Sequence, residues 1–216
     1  RYGGDIQRLD RILEAEGRSV DGVKASKQAD VLMLFYLLSA DELRELLGDL
    51  GYELAPEAIP RTIEYYLART SHGSTLSALV GAWVLARANR EQALEHFERA
   101  LRSDVADLQR GTTAEGIHLG AMAGCVDLLQ RCFGGLETRR DALWFNPNWP
   151  RRFGRLEFAV EYRGQPLTIS ISGRAVRVRS EPGPGRVVRV GCGRQVHHLR
   201  PGDAVEFVAH QPGPGI

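Results

Sequence analysis

Residues 74–86 read STLSALVGAWVLA and contain no charged side chain. Apolar residues fall on every side of a helix drawn through this stretch, which predicts a helix buried all round rather than one with a single apolar stripe. Two further stretches have the same character, KQADVLMLFYLL (27–38) and GIHLGAMAGCVDLL (116–129). The chain therefore predicts three buried helices.

Amphipathic stretches alternate with these buried ones. They are ADELRELLGDL (40–50), IPRTIEYYLART (59–70) and EQALEHFERALRSDV (91–105), the last with a predicted apolar stripe of Leu94, Phe97, Leu101 and Val105. A simple bundle would show one apolar stripe per helix, whereas this alternation favours two concentric layers, an inner ring within an outer one. Three inner helices supply half of such a ring.

The pattern changes to strands from Leu143. The stretch LTISISG (167–173) alternates strictly, with Leu167, Ile169 and Ile171 on one face, which predicts a half-buried strand. Further strands are predicted at 174–180, 186–191 and 204–209, with Gly- and Pro-rich turns between them. The expected fold class is mainly α plus β: helical residues 1–140, a Pro-rich linker at 141–152 and a small antiparallel β-sandwich at 153–216.

Composition and charge give no support to several classes of partner. The 28 Lys and Arg residues nearly balance 27 Asp and Glu, and a net charge of +1 does not favour nucleic acid or an anionic membrane as partner. Cys125, Cys132 and Cys192 lack C-x-x-C spacing and fit a reducing, cytoplasmic compartment. His197 and His198 are neighbours in a predicted strand, so they point to opposite faces and make a poor metal pair.

The stretch TSHGSTLS (70–77) opens the buried helix at 74–86. A helix start carries unpaired N–H groups and a partial positive charge, and Gly73 allows an anion close to the backbone. Ser71, His72 and Ser74 add hydrogen-bonding side chains, a combination that suits phosphate. The alternative is that Ser74 is an ordinary helix N-cap and His72 is incidental.

Two weaker motifs open the other buried helices. Thr112 and Glu115 have the spacing of a capping box, and Glu115 could instead bind sugar hydroxyls or orient a nucleophile. Lys27 and Gln28 could bind a sugar or an anionic group, although a lone Lys at a helix start is usually solvated. His96 and His118 are interpreted as helix-surface and helix-packing residues. If the buried helices form an inner ring, all three motifs converge at one end of it.

The order of these motifs resembles a known family. KQADVLMLFYLL, TSHGSTLSALVGAWVLAR, GTTAEGIHLGAMAG and LWFNPNWP together resemble the C-terminal part of the inverting disaccharide phosphorylases of glycoside hydrolase family 65, which act on trehalose, maltose or kojibiose. The resemblance implies the C-terminal half of an (α/α)6 barrel in residues 1–140, followed by a jelly-roll-like β-domain. One departure is Trp149, where the family pattern has a leucine.

The resemblance also implies roles for individual residues. Lys27 and Gln28 would contact the donor glucose, while Ser71, His72, Gly73 and Ser74 would hold the attacking phosphate. Glu115 lies in the matching segment without an assigned role. The family's general acid is a Glu upstream of the Lys-Gln pair, and nothing in residues 1–26 resembles it, so no catalytic residue is expected in this chain.

The expected function is inverting phosphorolysis of an α-glucosidic disaccharide, with a slight preference for trehalose, to β-glucose 1-phosphate and a free sugar. Two alternatives stay open: an inverting hydrolase with Glu115 activating water, and a non-catalytic sugar-binding fragment. The expected partners are the disaccharide, inorganic phosphate as co-substrate, and an N-terminal half from the same gene or a second chain. A homodimer is left open, and no metal or organic cofactor is implied.

Overall fold

The computed structural model describes residues 6, 9–26, 28–38, 40–71, 74–86, 89–108 and 113–209, with the backbone alone at Asp41, Arg90 and Glu115. The chain divides into two compact units, Arg1–Val126 and Asp127–Ile216. The first unit is helical and the second consists mainly of strands.

The helical unit has a helix in each of the six stretches that the sequence predicts as helical. In the described residues its α-helices are α1 (Leu9–Ala15), α2 (Asp30–Leu37), α3 (Ala40–Asp49), α4 (Ala58–Leu67), α5 (Thr75–Leu85), α6 (Arg90–Arg102) and α7 (Leu119–Asp127), the last ending at the boundary between the units. Short 3-10 turns lie at Val20–Gly22 and Thr113–Glu115.

Helix α5 is the buried helix that its sequence predicts. Nearly all of its residues are buried, including Ser77 and Gly81. Helix α6 packs on it so closely that a Cβ added at Gly81 would lie 2.5 Å from Nδ1 of His96. A glycine at this position therefore lets the two helices approach each other.

The predicted apolar stripe of α6 is only half correct. Leu94 and Phe97 are buried, but Leu101 is 43% exposed and Val105 is 80% exposed. The remainder of the buried face is formed by small residues, Ala93 and Ala100, with no exposed surface. Because α5 approaches closely, this face has room only for small side chains such as alanine. A stripe of large apolar residues therefore does not describe it.

Helices α2 and α7 are buried on one face only. In α2, Leu32 is buried whereas Leu34 and Leu37 are 44% and 63% exposed. In α7, Ala121 and Cys125 are the buried residues. Burial on every side was therefore the wrong prediction for these two helices within this chain. Their apolar outer faces remain accessible to solvent.

The second unit begins with a π-helical segment, Leu128–Phe133, and continues into two four-stranded sheets. The strands are β1 (Leu136–Arg139), β2 (Ala142–Phe145), β3 (Arg155–Tyr162), β4 (Gln165–Ser172), β5 (Ala175–Ser180), β6 (Val188–Cys192), β7 (Gln195–Leu199) and β8 (Ala204–Val208). Their orders are β1-β2-β6-β7 and β3-β4-β5-β8. The rings of His197 in one sheet and Phe207 in the other lie 5.4 Å apart.

The sheets follow the sequence prediction with one exception in topology. On β4, Leu167, Ile169 and Ile171 have no exposed surface, as their alternation predicts. The pairing of β2 with β6 is parallel, so the β-domain is not purely antiparallel. Strand β2 also lies within the range predicted as a linker, and β1 lies within the range predicted as helical.

The Pro-rich segment after β2 is tied to the end of the π-helix. The amide of Asn146 donates to the carbonyl of Gly135, and that of Asn148 donates to the carbonyl of Phe133, both at 2.9 Å. Trp149 is 4% exposed, and its indole N–H donates to the carbonyl of Gly154 at 2.9 Å. The indole is thus accommodated at the position where the family pattern has a leucine, because its one polar group is paired.

Candidate active site

A backbone bridge joins the segments that precede α2 and α5. The amide of Ser26 donates to the carbonyl of Arg69 at 2.8 Å, and the amide of Ser71 donates to the carbonyl of Ser26 at 2.7 Å. Ser26 directly precedes Lys27, which is predicted to bind sugar, and Ser71 directly precedes His72, which is predicted to bind phosphate. The bridge therefore joins the residue before the Lys-Gln motif to the first residue of the Ser-His-Gly-Ser motif.

The residues around the bridge are mostly buried. Thr70 and Ser71 are 1% and 3% exposed, and the hydroxyl of Thr70 donates to the carbonyl of Tyr66 at 2.7 Å. Gln28, in contrast, is exposed to solvent. Lys27, His72 and Gly73 lie outside the described residues, so their predicted roles stay predictions.

Ser74 is the N-cap of α5. Its backbone is extended, with φ −127° and ψ 143°, and its hydroxyl accepts a hydrogen bond from the amide of Leu76 at 3.3 Å. The prediction of a helix cap is therefore confirmed. The start of α5 also has the partial positive charge that stabilises an anion.

The start of α7 lies beside the start of α5. A Cβ added at Gly120 would lie 3.6 Å from Cδ2 of Leu76, and one added at Gly124 would overlap Cδ1 of Leu79. Because contacts advance in the same direction along both chains, the two helices run parallel with their N-termini at one end. Helix α2 also contacts α5, through the rings of Tyr36 and Trp83 at 4.8 Å.

A hydrogen-bonded pair at this end of α7 was not predicted from the sequence. Nδ1 of His118 lies 2.6 Å from Oδ1 of Asp104, and the amide of His118 donates to Oδ2 of the same carboxylate at 3.0 Å. The side chain of Asp104 is only 8% exposed. No fixed spacing marks this pair, because Asp104 follows α6 and His118 precedes α7 across a loop.

The charge of the Asp104 carboxylate also affects the pKa of the buried Cys125 thiol. Burial, with a smaller contribution from the negative charge of Asp104, raises the pKa of Cys125 to about 11. The thiol therefore stays protonated at neutral pH and is a poor nucleophile.

Glu115 does not open α7. It ends the 3-10 turn Thr113–Glu115, and α7 begins four residues later at Leu119. The predicted capping box with Thr112, a residue outside the described part, therefore does not describe the start of this helix. The turn is held instead by Asp107, whose Oδ1 accepts from the amide and the hydroxyl of Thr113 at 3.4 and 3.2 Å.

The described residues contain neither a group of metal-ligating side chains nor a helix that could span a membrane. No three His, Cys, Asp or Glu side chains there are grouped so that they could hold a metal ion. None of the described helices is long and apolar enough to cross a membrane.

The chain is similar to several known proteins. Over 206 residues the chain is 60% identical to an uncharacterised glycosyl hydrolase of Mycobacterium tuberculosis, covering 95% of this chain and 15% of that protein. Over 169 residues it is 40% identical to the trehalose 6-phosphate phosphorylase of Lactococcus lactis, covering 78% of this chain and 22% of that enzyme. The chain thus spans less than a quarter of the length of either relative.

A solved structure described as a kojibiose phosphorylase from the human microbiome has the same fold. It aligns with a TM-score of 0.64 at 22% identity, over 84% of this chain and 23% of that one. Residues 2–127 match the central catalytic domain of glycosyl hydrolase family 65, and residues 136–199 match the C-terminal domain of that family. Since the first match alone covers more than half of the residues, the chain belongs to glycosyl hydrolase family 65.

Proposed function

We propose that this chain supplies the phosphate site and part of the sugar site of an enzyme that cleaves an α-glucosidic disaccharide by inverting phosphorolysis. The observation that carries the proposal is the convergence of three helix starts. The Ser26–Ser71 bridge joins the segments before α2 and α5, and a Cβ added at Gly120 of α7 would lie 3.6 Å from Leu76 of α5.

Each residue that the sequence predicts for the site has a role in this proposal. Phosphate is held by Ser71, His72, Gly73 and Ser74 at the start of α5, where the helix dipole favours an anion. Lys27 and Gln28 bind the hydroxyls of the donor glucose. Glu115, in the turn before α7, remains a candidate for a further sugar contact.

In the proposed reaction an oxygen of phosphate attacks the anomeric carbon from the face opposite the departing sugar. The C–O glycosidic bond breaks, and a general acid protonates the leaving oxygen. Inversion converts the α-linkage into β-glucose 1-phosphate and releases the second sugar. We expect the general acid, a Glu, from a segment outside this chain.

The apolar outer faces of α2 and α7 support a completing segment. Leu37 of α2 and Leu119 of α7 are 63% and 77% exposed, and exposed apolar patches on a folded protein are typical of interaction surfaces. We propose that further helices of the catalytic domain, from the same polypeptide or a second chain, cover these faces and close the (α/α)6 barrel.

The substrate is proposed from the relatives. The 40% identical enzyme is named for trehalose 6-phosphate, and others, at 33% and 30% identity, are named for kojibiose and maltose. Trehalose, the disaccharide that the sequence slightly favours, and its 6-phosphate are therefore the first candidates to assay, with kojibiose and maltose for comparison.

The test uses the complete polypeptide that contains this sequence. Turnover of each disaccharide is measured with and without phosphate, in the wild type and in the His72→Ala variant. We expect turnover only with phosphate, and a loss of about 100-fold or more in His72→Ala, as when one donor to a reacting anion is removed. His198→Ala, a variant at an exposed histidine of β7, is the matched control.

Three results would contradict the proposal. Full activity in His72→Ala would remove the phosphate role of that loop. Activity indifferent to phosphate would favour the hydrolase, in which Glu115 activates water, and binding without turnover would favour a sugar-binding protein.

A further inference from the structure

Trp144 belongs to the stretch LWFNPNWP, which has no role in the proposed reaction. On β2, Leu143 and Phe145 are buried in the core of the β-domain, so Trp144 between them lies on the outer face of its sheet. Its six-membered ring lies against Gly191 of β6, where an added Cβ would be 2.8 Å from both Cε3 and Cζ3. Because Trp144 is only half-buried, part of its indole is accessible to solvent.

The strand register extends an apolar row across this face. Trp144 lies opposite Glu137 of β1 and Gly191 of β6, and Gly191 lies opposite the exposed Val196 of β7. Among the described residues the indole forms no hydrogen bond and no ring contact. The indole, the glycine backbone and the valine therefore form a shallow apolar surface with a carboxylate at one end.

Hydrogen-bonding groups lie beside this apolar row. Nη1 of Arg189 is 2.7 and 2.6 Å from the two carboxylate oxygens of Asp141, and Nη2 of Arg139 is 2.7 Å from Oε2 of Glu137. All four side chains are at least 40% exposed, so their remaining donors and acceptors face solvent. The two guanidinium groups balance the two carboxylates. This part of the face therefore carries no net charge.

The two rows are close enough to contact one ligand. Arg189 lies two residues before Gly191 on β6, which makes it a diagonal neighbour of Trp144. Diagonal neighbours in a sheet are about 7–8 Å apart, a distance that aromatic and long side chains span. The hydrogen bond from Arg189 also lowers the pKa of Asp141, so that this carboxylate is ionised and accepts hydrogen bonds at neutral pH.

We propose that this outer face, centred on Trp144, binds one pyranose ring of a neutral carbohydrate. A pyranose has an apolar face of C–H groups, which packs on an indole, and a rim of hydroxyls that need both donors and acceptors. The carboxylates of Glu137 and Asp141 accept from these hydroxyls, and Arg189 donates to them. A balanced set of charges suits a neutral sugar better than an anion or a cation. The site lies in the β-domain and is independent of the proposed phosphate site.

An indole that covers a glycine also stabilises a sheet, and that role needs no ligand. The two roles differ in what the carboxylates do. Packing of Trp144 on Gly191 does not require Glu137, whereas sugar binding uses it as an acceptor. A test at Glu137 therefore reports the binding role and leaves the packing intact.

The test uses the complete polypeptide that contains this sequence, labelled with fluorinated tryptophan. The fluorine NMR signal that disappears in Trp144→Phe identifies Trp144. Methyl β-glucoside, a single neutral pyranose, is then titrated into the wild type. We expect the Trp144 signal to shift and to saturate, with a dissociation constant of about 1 mM or weaker, as for a ligand with one stacked ring.

Glu137→Gln is the diagnostic variant. It replaces a charged acceptor with a neutral one, and we expect it to weaken binding of the glucoside by about 5-fold or more. Glu157→Gln is the matched control, because Glu157 of β3 is also an exposed glutamate paired with an arginine two residues away, Arg155, in the other sheet. It should leave the titration unchanged. Asp141→Asn is a second diagnostic variant and should also weaken binding.

Three results would overturn the inference. The first is a Trp144 signal that does not respond to the glucoside, as expected if another part of the complete polypeptide covers this face. The second is equal affinity in Glu137→Gln, Asp141→Asn and Glu157→Gln. The third is tighter binding of glucuronate, the corresponding ring with a carboxylate, than of the neutral glucoside. None of these results bears on phosphorolysis, which is tested separately at His72.

Discussion

The amide of Ser71 donates a 2.7 Å hydrogen bond to the carbonyl of Ser26, so that two segments distant in sequence meet just before the starts of α5 and α2. The bond is between backbone groups and therefore does not depend on the identity of either side chain. Ser26 and Ser71 directly precede Lys27 and His72 in the sequence.

The first prediction concerns this bridge. Ser26→Pro removes the N–H that donates to the carbonyl of Arg69, whereas Ser26→Ala keeps it. We expect Ser26→Pro to lower the free energy of unfolding by about 1–3 kcal/mol, since the carbonyl of the half-buried Arg69 loses its partner. Ser26→Ala should stay within about 0.5 kcal/mol of the wild type. Urea unfolding measures both, and equal effects would show that the bridge contributes nothing.

The second prediction separates the cap of α5 from its anion site. Ser74→Ala and Asn89→Ala each remove an N-cap side chain, one from α5 and the other from α6. Each should cost about 1 kcal/mol of stability. Only Ser74→Ala should also weaken phosphate binding in calorimetry. Equal phosphate affinity in the two variants would argue against an anion site at α5.

The third prediction concerns Gly135 in the β-domain. Its φ is +67°, and an added Cβ would overlap the carbonyl of Asn146. Gly173 has a φ of +57° with nothing within 4 Å of an added Cβ, and it isolates the cost of backbone conformation. Gly173→Ala should cost about 1–2 kcal/mol, and Gly135→Ala should cost clearly more in thermal unfolding. Equal costs would mean that the segment after β2 moves aside freely.

The fourth prediction is a pH dependence that originates at His96. Burial, followed by the nearby charge of Arg99, lowers the pKa of His96 in the folded chain. The unfolded chain therefore binds more protons below the ordinary imidazole pKa of about 6.5. Stability should be complete above that pH and should decline as the pH falls below it. His96→Gln should flatten this decline in denaturant titrations at pH 7.5, 6.5 and 5.5, and an unchanged slope would contradict the assignment.

Local patterns in the sequence were sufficient for much of the fold. The alternation at Leu167, Ile169 and Ile171 predicted a strand with one buried face, and the Ser74 cap was predicted from its position before an apolar run. Both features depend on neighbouring residues only. For this reason they could be predicted without knowledge of tertiary contacts.

Features that depend on distant residues were not predicted. The parallel pairing of β2 with β6 joins strands that are separated in the chain by three others, β3, β4 and β5, and no local pattern specifies it. The pair of Asp104 and His118 forms across a loop, where any of several carboxylates could have been the partner. The exposed faces of α2 and α7 were predicted as buried, because sequence shows what a helix can bury and not whether its partner is present.

The measurement that tests the central claim most directly is the fate of the glucosyl unit. The complete polypeptide is incubated with trehalose or trehalose 6-phosphate, and the products are followed by proton and phosphorus NMR with and without phosphate. The account predicts β-glucose 1-phosphate as the first product, formed only when phosphate is present. Release of free glucose at the same rate in phosphate-free buffer would contradict it.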